Sequence, residues 1–381
     1  MKVCLTCIEF FGDSIYGGFG RTTRFLGAEL AARRVEVTVV VPRRSSERPD
    51  AYRIDGLSVR QFPPHRLDRA ISLLREVDAD VYHAQDTSML MPLARLAAPD
   101  AAHVLTFRDP MDRHDWAIET AHAGMPRMGW ALYRWFITNP LVAWGVRSMD
   151  ARYCAAEFLI AKTRTIYGLP EPADFLASPV HMPAPTAKAE RPTVCYVGRW
   201  EGRKRVELFF DLAERHPGID FIAMGANRDP RKDALLRERC RSIPNLSLPG
   251  VLDQFRDPEW SRVLARSWVL VNTSLREGLP TTFVEAAAHG TAILSHTDPD
   301  GFASRFGHRA AEGDLSAGLT WLLHDDRWRR LGEAGRAFVA ERFETGRAVE
   351  AHLAAYEAAL DRARARRGPV IRPGGTRRRA L

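Results

Sequence analysis

Two glutamates eight residues apart, Glu277 and Glu285, stand in the stretch Arg276-Glu277-Gly278-Leu279-Pro280-Thr281-Thr282-Phe283-Val284-Glu285. A strand-like run, Trp268 to Asn272, precedes it, and another, Ala292 to Ser295, follows. One carboxylate therefore sits in a loop leaving a strand, and the second near the first turn of the next helix. An ionised carboxylate only accepts hydrogen bonds, which suits sugar or ribose hydroxyls. The helix start between them offers unpaired N–H groups and a positive dipole end, which suit phosphate. A second cluster, Gly198-Arg199-Trp200-Glu201-Gly202-Arg203-Lys204, ends the run Thr193 to Val197. Arg199 supplies a forked donor and Lys204 a movable point charge, a pair suited to a diphosphate. A solvated basic turn would account for the same residues, since Arg203 and Arg205 add further charge. Together the two clusters read as a site for a nucleotide-linked sugar.

These side chains converge only if the elements carrying them form an open parallel sheet, where ligands bind beyond the carboxyl ends of the strands. The hydrophobic pattern predicts such a sheet twice. In the first half, strands are expected at Val3 to Ile8, Val35 to Val41, Leu57 to Phe62, Val81 to Ala84, His103 to Phe107 and Ala151 to Ala155. Helices are expected at Arg21 to Arg34, Leu67 to Val77 and Thr87 to Ala98. A proline-rich stretch, Gly168 to Pro192, breaks the pattern and reads as a linker. The alternation then restarts with strands at Thr193 to Val197, Asp220 to Met224, Leu246 to Leu248, around Val269, and at Ile293. Helices are expected at Arg203 to Arg215, Lys232 to Cys240, from Thr282, and at Leu315 to Leu323, Trp328 to Arg342 and Val349 to Ala363. Such alternation predicts an α/β protein of two Rossmann-like parallel-sheet domains, with the active site in the cleft between them. The first strand runs into a glycine-bearing loop, Gly12 to Gly20, that opens a helix. Its spacing is not G-x-G-x-x-G and no acidic residue ends the second strand, so a dinucleotide site fits poorly. A tight turn and a ligand-binding loop both remain open for it.

A chain of 381 residues has room for two cores, and its 45% hydrophobic and 27% charged content is that of a soluble globular protein. Five scattered cysteines fit reduced thiols better than a disulfide framework. Cys4 and Cys7 have CxxC spacing, but they fall in the first buried strand with no second pair or histidine cluster, so neither metal nor redox chemistry is expected. The sequence carries no signal-like or membrane-spanning run. A cytoplasmic protein is expected, with the inner face of a membrane left open as its working place. The formal charge of +8 is concentrated at the end, where residues 366–381 read as a disordered basic tail. A solvated extension is the favoured reading of that tail, contact with anionic lipid or nucleic acid is the other, and no nucleic-acid partner is expected of the chain.

The combination of Gly17-Gly18-Phe19-Gly20-Arg21, Gly198-Arg199 with Lys204, and Glu277 with Glu285 resembles the GT-B glycosyltransferases of the retaining family 4 type. Asp80-Val81-Tyr82-His83-Ala84-Gln85 resembles the same family's N-terminal strand. The resemblance covers roughly residues 1–360. It implies an N-terminal acceptor domain (1–168), a linker (169–192) and a C-terminal donor domain (193–345). A last helix (346–365) would pack back on the N-terminal domain. It also implies transfer of a sugar from a nucleotide diphosphate sugar to a hydroxyl acceptor, without metal or other cofactor. Arg199 and Lys204 would clamp the diphosphate, Glu277 would face the donor sugar, and Glu285 would accept from ribose. Gly18 would lie against the phosphates from the opposite domain. Gly278, Leu279, Thr281 and Thr282 would supply N–H donors, since Pro280 has none.

Two features depart from the family: Pro280 stands where many relatives have a glycine, and the usual N-terminal histidine is missing from its place. A histidine is usual after the fifth N-terminal strand, whereas here Thr106-Phe107 runs into Arg108-Asp109. Arg108 and Asp109 become candidate contacts to acceptor or donor sugar, with a salt bridge at the strand end as the alternative. The segment Asp112 to Met149 carries Trp116, Trp130, Trp135 and Trp144 among Arg127, Arg134 and Arg147. Core packing is the favoured reading, and an acceptor-binding or lipid-facing helix with peripheral membrane contact is the other. Rival functions are a GT-B-like epimerase or phosphorylase, and a sugar-nucleotide binding protein without chemistry.

Overall fold

A computed structural model describes residues 1–11, 17–43, 49–122, 126–311 and 314–367. Residues 12–16 of the glycine-bearing loop and the tail beyond Arg367 lie outside the described residues. Among the described residues the strands form two sheets. The first contains β1 (Lys2–Thr6), β2 (Glu36–Pro42), β3 (Ala51–Ile54), β4 (Leu57–Phe62), β5 (Val81–Ala84), β6 (Ala102–Phe107), β7 (Ala151–Cys154) and β8 (Asp174–Phe175), in the order β3-β4-β2-β1-β5-β6-β7-β8. The second contains β9 (Thr193–Val197), β10 (Asp220–Met224), β11 (Leu246–Gly250), β12 (Val269–Asn272), β13 (Ala292–Ser295) and β14 (Gly307–Arg309), in the order β11-β10-β9-β12-β13-β14. Every pairing is parallel except β3 with β4. The strand order reverses at β1/β5 in the first sheet and at β9/β12 in the second. Those two switch points are where an open α/β sheet leaves a crevice for a ligand.

Apolar strands buried on both faces hold each half together, as parallel sheets require. Val3, Leu5, Val37, Val39, Val59 and Val104 pack one face of the first sheet against Leu26 and Leu30 of the helix Gly18–Ala32. The same core takes Val349, Tyr356, Ala359 and Ala363 from the last helix, Thr345–Arg367, so the chain crosses back to its first half. Cys4 and Cys7 are buried in the first half, and burial pushes both thiols far above their ordinary range.

The stretch between the sheets is tied down along its length. Asp174–Phe175 adds β8 to the first sheet. Val180 donates to Phe343 O (2.8 Å), and Lys188 Nζ donates to Ser267 O, His289 O and Thr291 Oγ1 at 2.7, 3.0 and 2.8 Å. The expected helix Arg203 to Arg215 is split. One 3-10 turn covers Gly202–Lys204, Arg205 takes a left-handed φ of 45°, and the α-helix begins at Glu207. Arg205 Nε donates to Thr273 O (2.9 Å) and Thr273 Oγ1 donates to Lys204 O, so β12's end stabilises the break. An unbroken helix would carry Lys204 on a regular turn; the break turns it toward the end of β12.

Candidate active site

Both switch points open on one cleft of about 1240 Å³, lined by Glu9, Gly18, Asp86 and Arg108 from the first half and by Arg199, Lys204, Glu277 and Glu285 from the second. On the second wall, Lys204 Nζ forms an ion pair with Glu277 Oε1, which also accepts from Asn272 Nδ2 (3.2 Å). Arg203 Nη1 lies 3.6 Å from the other carboxylate oxygen. Burial would raise the Glu277 pKa, but the charges of Lys204 and Arg203 outweigh it and hold the carboxyl well below the usual range. Burial also pulls Lys204 down to about 8 despite Glu277, so both groups are ionised at neutral pH. Arg199, at the end of β9, keeps a third of its side chain exposed, 3.7 Å from Glu201. Close backbone packing shapes this end of the sheet. Gly225 has φ 141°, and a Cβ there would fall 1.9 Å from Gly198 O.

The helix Thr281–Ala288 starts at Pro280 without a side-chain cap, and so does Gly18–Ala32 at Gly17. The two uncapped starts face each other. A Cβ on Gly18 would lie 3.3 Å from Thr281 Oγ1. Free N–H groups at such starts are anion sites. Glu9 already answers one of them, its Oε1 accepting from Gly20 N at 3.3 Å. Glu285 pairs across the cleft with Arg21, whose Nε donates to Gln254 Oε1 (2.5 Å) and whose guanidinium lies 4.2 Å over the Trp260 ring. Glu285 Oε2 is buried and, among the described residues, has no hydrogen-bond partner. A buried acceptor left open in this way marks a place for a donor such as a hydroxyl.

The first wall is built differently. Arg108 is buried and donates to Gln85 Oε1 and to Ser178 Oγ (2.6 Å), both neutral groups. Burial pulls its pKa down to about 10. Arg108 Nε and Gln85 Nε2 are buried donors with no partner among the described residues. Asp86 beside them accepts from Thr87 N (2.8 Å), and burial, with Asp109 nearby, pushes its carboxyl up to about 7. Asp109 turns away to Arg276, which also binds Asp115 Oδ1 (3.0 Å) and Glu119 Oε1 (2.6 Å). Burial alone would lower the Arg276 pKa; three carboxylates hold it above its ordinary value. Arg203 Nε reaches Glu119 as well (2.6 Å), so this ionic cluster joins the two walls. Gly278 packs where a Cβ would stand 2.5 Å from Arg108 O.

The fold therefore brings Gly18, Arg108, Asp109, Arg199, Lys204, Glu277, Gly278, Leu279, Thr281 and Glu285 to one cleft. Asp109 is committed to the ion cluster. His103 bonds Ala98 O (2.8 Å) under β6, away from it. Glu9, Arg21, Asp86, Arg203 and Arg276 join the cleft beyond the residues expected from sequence, although Arg21 ends the motif that starts at Gly17 and Arg276 begins the Glu277 one. The tryptophan segment divides. Trp116 is buried, Trp130 lines the cleft, and Trp135 and Trp144 are exposed, so core packing accounts for only part of it.

Residues 16–176 match the family model Glycosyltransferase Family 4, and residues 191–319 match Glycosyl transferases group 1. No curated protein sequence matches the chain. Among solved structures, sucrose-phosphate synthase from Thermosynechococcus elongatus is 16% identical, with TM-score 0.70 over 94% of this chain and 99% of that one. Anabaena Alr3699/HepE, solved with UDP and glucose, is 12% identical, with TM-score 0.68 over 94% and 100%. A mutant of S. aureus TarM, solved with Fondaparinux, alpha-GlcNAc-glycerol and UDP, is 11% identical, with TM-score 0.66 over 93% and 99%. These likenesses establish the two-sheet GT-B fold.

Proposed function

We propose that this chain, a glycosyltransferase of the family 4 and group 1 type with the GT-B fold, moves a sugar from a nucleotide diphosphate sugar to a hydroxyl acceptor with retention of anomeric configuration. The observation that carries the reading is the pairing of two unlike sites in one cleft. A buried cation cluster, Lys204 and Arg203 on Glu277, stands beside a buried carboxylate, Glu285, with one oxygen open. The first suits a diphosphate and the second a ribose hydroxyl.

In this reading the leaving diphosphate gains charge as the glycosidic bond breaks. Lys204, Arg199 and the first-turn N–H groups of Thr281 and Thr282 stabilise that charge. Cations and dipoles fixed before the reaction avoid the reorganisation that water would need. Glu277 holds Lys204 in place and presents its carboxylate toward the donor sugar. Because the charge is carried by fixed side chains, turnover should persist in the presence of a chelator.

A thermal-shift screen of nucleoside diphosphates and their sugar conjugates tests the donor half, since a ligand that binds only the folded chain raises its stability. Lys204→Ala should lower turnover by about 10²–10³-fold, the cost typical of a lost transition-state donor. Glu285→Ala should weaken nucleotide binding while leaving the fold intact. Unchanged turnover and binding in both variants would remove the site from consideration. The anomer of the product, read by NMR, decides retention against inversion.

A further inference from the structure

We propose that the exposed face of the helices Arg127–Thr138 and Pro140–Arg147 seats on an anionic lipid surface, and that the hydroxyl acceptor is an amphiphile presented from it. The acceptor half of this rests on the glycosyl-transfer reading above; the lipid seat rests on its own geometry. Along the first helix Met128, Leu132 and Trp135 are 73%, 61% and 52% exposed. Their spacing of four and three residues places them on one face. Leu141 and Trp144, three residues apart on the second helix, are exposed as well, at 39% and 41%. Five large apolar side chains grouped within two consecutive helices form a patch of the kind that marks an interaction surface.

The charge pattern selects the occupant. Arg127, Arg134 and Arg147 are exposed around the strip, and no acidic residue occurs between Pro126 and Met149. A second copy of the chain would bring arginine against arginine. An anionic bilayer instead accepts both features, with indoles at headgroup depth and arginines against lipid phosphate. The same helix also serves the cleft. Trp130, Tyr133 and Ile137, on the opposite face, line it, and the Arg134 guanidinium lies 5.2 Å over the ring of Trp116, another lining residue. A helix is about 10 Å across, so the reacting hydroxyl must stand about that far from the apolar surface. A lipid with a sugar-sized or larger polar head meets the requirement; a bare glycerol hydroxyl does not.

Flotation of the full chain with vesicles of phosphatidylcholine alone, or with added phosphatidylglycerol, tests the seat. Recovery with the anionic vesicles at low salt is expected, falling as salt screens the arginines. The double variant Leu132→Glu/Trp135→Glu should lose vesicle binding yet keep its thermal midpoint and its nucleoside diphosphate binding. Arg127→Gln with Arg147→Gln should lower partitioning by about fivefold per charge removed. Failure of the wild-type chain to float, or equal flotation of Leu132→Glu/Trp135→Glu, overturns the proposal. So does a wild-type dimer in lipid-free sedimentation that Leu132→Glu/Trp135→Glu converts to monomer, because the face would then belong to self-association. Vesicle binding without any nucleotide binding would keep the lipid seat and reject the transfer reading instead.

Discussion

On the C-terminal wall of the cleft, Lys204 and Arg203 face the carboxylate of Glu277, and Asn272 donates to the same oxygen as Lys204. On the N-terminal wall, Arg108 is equally buried, but among the described residues its guanidinium bonds neutral groups, Gln85 and Ser178, and its Nε has no partner. Asp86 is close by, yet its carboxylate takes the Thr87 N–H and lies 3.5 Å from the Arg108 backbone N–H. The first arrangement has its charges paired and fixed before any ligand binds, as preorganised electrostatics requires. The second leaves polar capacity unspent, which a folded chain tolerates where a ligand later uses it. The motif residues Arg199, Lys204, Glu277 and Glu285 all lie on the completed wall, and the unfinished wall carries Arg108 just past β6.

Arg276 is the bolt between the walls, and removing it should have the largest effect. Arg276→Ala leaves Asp109, Asp115 and Glu119 facing one another with only Lys162 and Arg203 in partial compensation. Breaking a buried ion cluster by deleting one partner costs about 3–5 kcal/mol. Here that cost should appear as separation of the two halves, since opening returns the carboxylates to water. The radius of gyration from small-angle scattering should rise, and so should KM for the donor. If neither moves, the walls are held by something else and each must be considered alone. A smaller effect is expected from Arg108→Met. Loss of a charged hydrogen bond to ligand is worth about 1.5–3 kcal/mol, or roughly 10–100-fold in transfer rate. Thermal stability should stay within about 1 kcal/mol, because a buried charge with neutral partners contributes little net stability. A large drop in stability with normal transfer would make Arg108 a strut and erase the contrast between the walls.

Much of this was legible before the fold was seen, and the omissions have physical causes. Strands β4, β5, β9, β10 and β13 follow from short apolar, β-branched runs between turn residues, and Arg199 just past the end of β9 follows with its strand. The antiparallel β3 was missed although Asp55-Gly56, at φ 48° and 80°, is the left-handed pair typical of a tight hairpin. The helix Pro258–Arg266 was missed although Pro at its first turn is a start signal. Other elements leave no local trace. The helix Phe158–Tyr167 has no local side-chain cap, and the Asp300 carboxylate accepts from Glu157 N and Phe158 N at 2.9 and 2.7 Å, across 143 residues of chain. Three-residue β14 borrows its order from β13. The ionic bolt belongs to this class, since Arg276 and Asp109 are 167 residues apart and meet only when both halves are built.

The completed wall also has a pH signature of its own. Lys204, pulled down by burial to about 8, is charged at neutral pH and loses its proton as pH rises through that value. A bound diphosphate adds negative charge beside the ammonium and raises its pKa, so protonation and binding favour each other. The sign follows: donor affinity is fully present below pH 8 and falls above it, by up to about tenfold per pH unit until the pKa of the complex is reached. Lys204→Arg keeps its charge throughout this range, because guanidinium does not titrate there. Isothermal titration with a nucleoside diphosphate between pH 7 and pH 10 should therefore give a falling curve for the wild-type chain and a nearly flat one for Lys204→Arg. The arginine variant should bind more weakly at pH 7, since its planar fork cannot take the ammonium's place beside Glu277 and Asn272. Parallel curves for the two proteins would mean that another group titrates against the diphosphate. Asp86, pushed up to about 7 on the opposite wall, would then be the first to replace with asparagine.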